Sequence, residues 1–98
     1  GPLVKSATLN DHQIVLRFDH VGKGLITNDK LPLYHFAVAG ADKKYVWAQA
    51  KIEGDSVIVW NDSIMEPTAV RYAWADNPRG ANLYNMEGLP ASPFTNEK

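Results

Sequence analysis

The sequence predicts an all-β domain, an antiparallel β-sandwich of about seven strands with an immunoglobulin-like arrangement; a small β-barrel is the alternative closure. Three observations predict it. Short runs rich in β-branched and aromatic residues recur at the roughly 8–12-residue spacing typical of such folds. Turn-forming Gly, Asn, Asp and Pro separate these runs, and no window sustains the 3.6-residue apolar period of a helix.

The elements follow in order. Residues 4–9 (VKSATL) form a first strand, closed by the polar turn Asn10-Asp11-His12. Residues 13–18 (QIVLRF) form the second, with Ile14, Leu16 and Phe18 on one face because successive side chains of a strand point to opposite sides. The segments 21–24 (VGKG) and 27–30 (TNDK) read as loops, since Gly and Asn tolerate positive φ. A short strand at 36–39 (FAVA) ends at residues 40–43 (GADK). Residues 45–52 (YVWAQAKI) alternate with period two: Val46, Ala48, Ala50 and Ile52 share one face, and Tyr45, Trp47, Gln49 and Lys51 the other. A hairpin turn at 53–55 leads into a return strand at 56–60 (SVIVW). After a loop containing Pro67, a strand is expected over 69–75, with Val70, Tyr72 and Trp74 inward, and a break at 76–80. Residues 81–85 form a last short strand, and residues 86–98 an extended tail.

The bulk numbers bound the function. Ninety-eight residues make one domain. Surface scaling for this mass leaves roughly 5,600 Å² exposed, against about 15,800 Å² for the unfolded chain, enough for one core but not for a core plus an elaborate cleft. The N-terminal Gly1-Pro2 matches the scar of a tag-cleaving protease. The expected organisation is therefore a tag remnant or linker at 1–3, a single sandwich domain at 4–94 and a tail at 95–98. Net charge is −1 and Lys43-Lys44 is the only basic doublet, so no basic stripe offers itself to a nucleic acid. No apolar run is long enough to span a membrane. With no cysteine, disulfides, thiolate catalysis and cysteine-based zinc sites are excluded.

One tripeptide invites a catalytic reading. Gly54-Asp55-Ser56 is the opening of the nucleophile block in GDSL-type ester hydrolases. There the serine opens a helix whose N-terminus helps to hold the oxyanion. Here Ser56 precedes Val-Ile-Val-Trp, a β-branched run ill-suited to a helix, and Gly54 supplies the positive φ of a tight turn. A serine nucleophile also needs a histidine base, and neither Asp11 nor Asp19 has a histidine three residues on. The tripeptide reads as a hairpin turn, and no catalytic residue is assigned.

Other constellations are weaker. His12, His20 and His35 match no compact metal spacing, so neither metal nor cofactor is expected. Adjacent Asp19 and His20 would face opposite sides of a strand. Gly22-Lys23-Gly24 lacks the helix start that makes a phosphate loop useful. Tyr45 and Trp47 carry more. If the small residues of their strand face the core, the two aromatics face outward, where they can stack on sugar rings or pack on a neighbouring domain. The inverse orientation would bury them. Arg71, between apolar neighbours, is expected on the far face of its strand beside a carboxylate.

A set of blocks in fixed order then resembles a known family. AVRYAW at 69–74, Asn77-Pro78, NLYN at 82–85 and GLPASPF at 88–94 are similar to the C-terminal region of bacterial sialate O-acetylesterases, which are SGNH-like carbohydrate esterases. FDHVG at 18–22, residues 36–40 and AKIEGD at 50–55 fit as well, so the resemblance covers about residues 4–94. It departs at the end: the family continues from Pro-Phe into Arg-Thr-Asp, whereas Phe94 here leads into Thr95-Asn96-Glu97. The family's serine and Asp-x-x-His block lie upstream of the matched region. The resemblance therefore implies a non-catalytic accessory β-domain whose partner is the SGNH-like catalytic domain of the same parent chain, with an acetylated glycan as a further partner and a periplasmic or secreted location. Tyr45, Trp47, Arg71, Asn85, Glu87 and Leu89 are the candidate glycan or domain contacts.

Overall fold

The computed structural model describes residues 1–73 and 81–97. Trp74, the end of the strand expected over 69–75, the break at 76–80 and the Asn77-Pro78 motif lie outside the described residues.

Among the described residues there are ten strands and no helix. They are β1 (Leu3–Asn10), β2 (Gln13–Asp19), β3 (Leu25–Thr27), β4 (Phe36–Ala39), β5 (Val46–Trp47), β6 (Gln49–Glu53), β7 (Ser56–Trp60), β8 (Ala69–Tyr72), β9 (Leu83–Asn85) and β10 (Phe94–Thr95). Two four-stranded antiparallel sheets, ordered β1-β2-β7-β6 and β10-β8-β4-β5, face one another, and β3 and β9 form a separate ribbon. Neither sheet closes on itself, so the molecule is a sandwich and not a barrel.

The core follows the alternation. Ile14, Leu16 and Phe18 of β2 and Val57 and Val59 of β7 point inward from one sheet. Phe36 and Val38 of β4 and Val70 and Tyr72 of β8 point inward from the other. Phe36 and Tyr72 are cross-strand partners with ring centroids 4.5 Å apart. The β6–β7 hairpin turns through Gly54 and Asp55, with Glu53 opposite Ser56. Gly54 has φ 63° and Asp55 no positive φ, the pattern of a type II′ turn, whose twist suits the flanking strands.

Three expectations change. The single strand over 45–52 is two: β5 pairs with β4 in one sheet, then the chain passes Ala48 and enters the other sheet as β6 beside β7. Ala48 marks the crossing, its N–H donating to the Phe36 carbonyl at 2.9 Å. The alternation of exposure persists through this switch because it fixes which side of the backbone faces the core, not which strand is its neighbour. The extended tail contains β10, antiparallel to β8. Residues 25–27, between two expected loops, form β3 against β9. These short segments raise the strand count from about seven to ten. At the N-terminus, β1 starts at Leu3, Pro2 is fully buried, and its carbonyl accepts the Ser92 N–H at 3.1 Å.

Candidate functional site

The register of one sheet builds a row on its outer face. Thr95 pairs with Arg71, Arg71 with Ala37, and Ala37 with Trp47, so these side chains cross β10, β8, β4 and β5 in line. Tyr45, two residues before Trp47, shares this face. The Arg71 guanidinium lies over the Tyr45 ring, 3.7 Å from its centroid, and its Nη2 is 3.6 Å from Glu97 Oε1. The Tyr45 hydroxyl donates to the same carboxylate oxygen. Glu97 is itself oriented by its N–H donating to Thr95 Oγ1 at 3.1 Å. Burial raises the Tyr45 pKa, the hydrogen bond to the Glu97 carboxylate raises it further, and the Arg71 charge opposes both. Arg71 Nε is buried and has no hydrogen-bond partner among the described residues. This cluster is thus a planar cation held between a ring and a carboxylate, with the end of the tail fastened to the sheet.

Trp47 differs from Tyr45. It is 70% exposed and meets the His35 ring edge-on at 5.8 Å. His35 has φ 67°, and its carbonyl accepts the N–H of Ala73, which also has positive φ, at 53°. Such left-handed conformations cost a non-glycine residue about 1–2 kcal/mol, so surrounding contacts must hold both. The open aromatic surface is therefore one indole and not two rings, because Arg71 occupies a face of Tyr45.

Asn85, Glu87 and Leu89 sit together elsewhere, on the turn after β9. Asn85 is buried: its Oδ1 accepts the Leu89 N–H at 2.9 Å, and its own N–H donates to the Leu89 carbonyl at 3.0 Å. It shapes the turn. The Glu87 carboxylate accepts the Lys23 N–H at 3.2 and 3.3 Å, tying the turn to the loop before β3. Leu89 and the neighbouring Met86 are exposed. Of the six sequence candidates, Tyr45, Trp47 and Arg71 form one group and the other three a second, on a different sheet. Glu97 and His35 were missed. Glu97 lies 52 residues from Tyr45 in sequence, beyond any local pattern.

Ser56 is the first residue of β7, flanked across the sheet by Glu53 and Arg17 and opening no helix. His12 donates from Nδ1 to the Met65 carbonyl at 2.7 Å. His20, at φ 61°, follows the last residue of β2. Among the described residues no three His, Cys, Asp or Glu side chains gather as a metal site would require.

Neither a protein-family description nor a curated protein sequence matches the chain. Among solved structures it is similar to a carbohydrate acetylesterase from Xanthomonas citri, with 41% sequence identity and a TM-score of 0.95. The match covers 99% of this chain and 22% of that one, so the chain spans about a fifth of the length of the solved esterase. The chain is thus related to one domain-sized segment of a carbohydrate esterase.

Proposed function

We propose that this chain is a non-catalytic accessory domain of a sialate O-acetylesterase-like carbohydrate esterase, packing on and supporting a catalytic SGNH-like domain of the same parent chain. The observation that carries the reading is the near-complete match to a segment that makes up only 22% of a carbohydrate acetylesterase. The sialate class comes from the sequence blocks of residues 69–94. The geometry of Ser56 agrees with a supporting role: it is the first residue of a strand and opens no helix whose N-terminus could hold an oxyanion.

Support of this kind needs a rigid surface with a few anchors. Trp47 is such an anchor, a large exposed ring on a sheet whose row is stiffened by the Arg71–Tyr45–Glu97 cluster. Leu89, presented by the Asn85 turn, offers a second apolar contact, and Glu87 braces that turn. Interfaces between domains of one chain bury about 600–1,500 Å². The test is to assay the isolated domain on 4-nitrophenyl acetate and on O-acetylated sialic acid. No turnover above buffer is expected, whereas turnover abolished by Ser56→Ala would overturn the reading. In the full-length esterase, Trp47→Ala should lower the melting temperature and leave KM unchanged. A raised KM would instead favour glycan contact at Trp47.

A further inference from the structure

The outer face of the other sheet carries a feature that the esterase comparison does not assign. Ser56, Ile58 and Trp60 alternate with the inward Val57 and Val59, so Trp60 points away from the core. Continuing the β2–β7 register one step past the Ile14–Val59 pair brings Gln13 beside Trp60, with which it lines one cleft, and on the other flank Gln49 pairs with Trp60. Asn10 pairs with Gln13 on β1. A single row across four strands therefore reads Asn10, Gln13, Trp60, Gln49, an indole with carboxamides on either side. Where this row meets the β1–β2 turn and the loop after β7, it opens into a cleft of about 240 Å³ lined by His12, Gln13, Trp60 and Asp62, with Ile64 and Met65 as its apolar part.

The polar groups of this cleft are available. Among the described residues, the Trp60 indole N–H, the Gln13 carboxamide and the Asp62 carboxylate have no hydrogen-bond partner in the protein. His12 gives its Nδ1 proton to the Met65 carbonyl, which leaves Nε2 of the neutral ring as an acceptor. Asn61 is fully used: its Oδ1 accepts from the Ser63 N–H and hydroxyl at 2.8 and 2.6 Å, and its Nδ2 donates to the Trp47 carbonyl at 2.8 Å. It holds the wall of the cleft in place.

We propose that this cleft binds a single neutral pyranose ring of a glycan. An indole offers its face to the apolar C–H side of the ring. A carboxylate, a carboxamide and an imidazole acceptor match hydroxyls that both donate and accept. The volume lies below the roughly 300–1,000 Å³ of enclosed small-molecule sites and suits one ring at an open surface. Charge selects within the class: among the described residues, Asp62 is the one carboxylate that lines the cleft, and no lysine or arginine lines it. An anionic sugar is disfavoured there. The choice of a sugar as ligand rests on the esterase-domain reading, but the subsite is separate from the Trp47 surface.

The test is an NMR titration of the ¹⁵N-labelled domain with methyl β-xylopyranoside, methyl β-glucopyranoside and the methyl α-glycoside of N-acetylneuraminic acid. The Trp60 indole and Gln13 side-chain resonances should shift and saturate with a Kd of about 1–10 mM for a neutral glycoside, weak as expected for so small a ligand. The Trp47 indole should stay in place, and the sialoside should bind at least about fivefold more weakly. Trp60→Ala should abolish the shifts. Should that variant not fold, Gln13→Ala and Asp62→Ala must each weaken binding about fivefold, the value of one hydrogen bond. Silence at Trp60 up to saturating glycoside, or shifts centred on Trp47, refutes the subsite. Either result leaves the accessory reading standing, which falls only if the isolated domain hydrolyses acetyl esters.

Discussion

Tyr72→Phe removes one oxygen from the centre of the sandwich. Tyr72 is 2% exposed, its ring packs on Phe36 at 4.5 Å, and its hydroxyl accepts the Leu83 N–H at 3.0 Å. The ring contact survives the substitution, but the N–H of Leu83, itself fully buried, loses its acceptor. An orphaned buried donor costs about 1–3 kcal/mol, a sizeable part of the roughly 5–15 kcal/mol that holds a domain of this size folded. At about 4–8 °C per kcal/mol, a mid-range loss of ~2 kcal/mol lowers the melting temperature by about 8–16 °C in calorimetry. A pH series then tests the cause. Burial raises the Tyr72 pKa above its ordinary value near 10, with the Leu83 hydrogen bond opposing. A pKa raised by folding means that the unfolded chain ionises first. The tyrosine's contribution is whole below pH 10 and is lost as pH climbs through the folded pKa. The phenylalanine variant lacks this loss, so the gap in stability between the two proteins should narrow above pH 10. Tyr45, also shifted upward, is common to both proteins and cancels. A variant within 0.5 kcal/mol of wild type, as for a typical surface change, or a gap that stays constant past pH 11, would refute the reasoning.

Three further outcomes are expected. Gly22 has φ 58° and an added Cβ would collide with the Glu87 carboxylate, whereas Gly54, at φ 63°, faces open space. Urea denaturation should therefore show Gly22→Ala more destabilising than Gly54→Ala, which costs only the conformational ~1–2 kcal/mol. Asn82, 1% exposed, donates to Asp29 Oδ1 at 2.9 Å and to the Pro32 carbonyl at 3.0 Å, and accepts the Tyr34 N–H at 3.0 Å. Asn82→Ala should cost about 2–4 kcal/mol by the same denaturation. It should also flatten the acid limb of stability, because the Asn82 hydrogen bond, then that of Leu31, lowers the Asp29 pKa, a contribution present above pH 3.8 and lost as pH falls through the folded value. Glu97→Gln should move the Tyr45 ionisation, followed by ¹³C NMR of the phenol carbon, down toward the ordinary tyrosine range. No movement would mean that burial alone sets it.

Much of the sandwich was legible because it rests on a period of two. Alternation alone puts Ile14, Leu16 and Phe18 on one face, and that shared face is the buried one. The Gly54 turn was legible because few residues adopt positive φ without strain. The switch of sheets at Ala48 was not. Alternation runs unbroken through residues 46–53, and only the distant partners, Ala37 for Trp47 and Trp60 for Gln49, reveal two strands. Positive φ at His35 and Ala73 was equally hidden, since tertiary contacts and not residue type hold them there. At the surface, Tyr45 and Trp47 share a face as their spacing predicts. Their unequal exposure depends on Arg71 and Glu97, which local sequence cannot bring together.

The crossing at Ala48 has a consequence for how the two surfaces relate. Trp47 belongs to the outer face of one sheet and Gln49, two residues on, pairs with Trp60 in the other. Asn61, next to Trp60, returns a hydrogen bond to the Trp47 carbonyl. The indole proposed for docking and the indole proposed to meet a sugar are therefore joined through one short covalent segment and one side-chain clamp. They lie on opposite outer faces of a sandwich. A bundle of loops could not fix that separation, but two sheets packed about 10 Å apart can. A catalytic domain seated on Trp47 would leave Trp60 open, so a glycan chain held at the far cleft could be engaged while the docked face stays covered. If so, disrupting the clamp with Asn61→Ala should disturb both indole environments at once, whereas Gln13→Ala should disturb only that of Trp60.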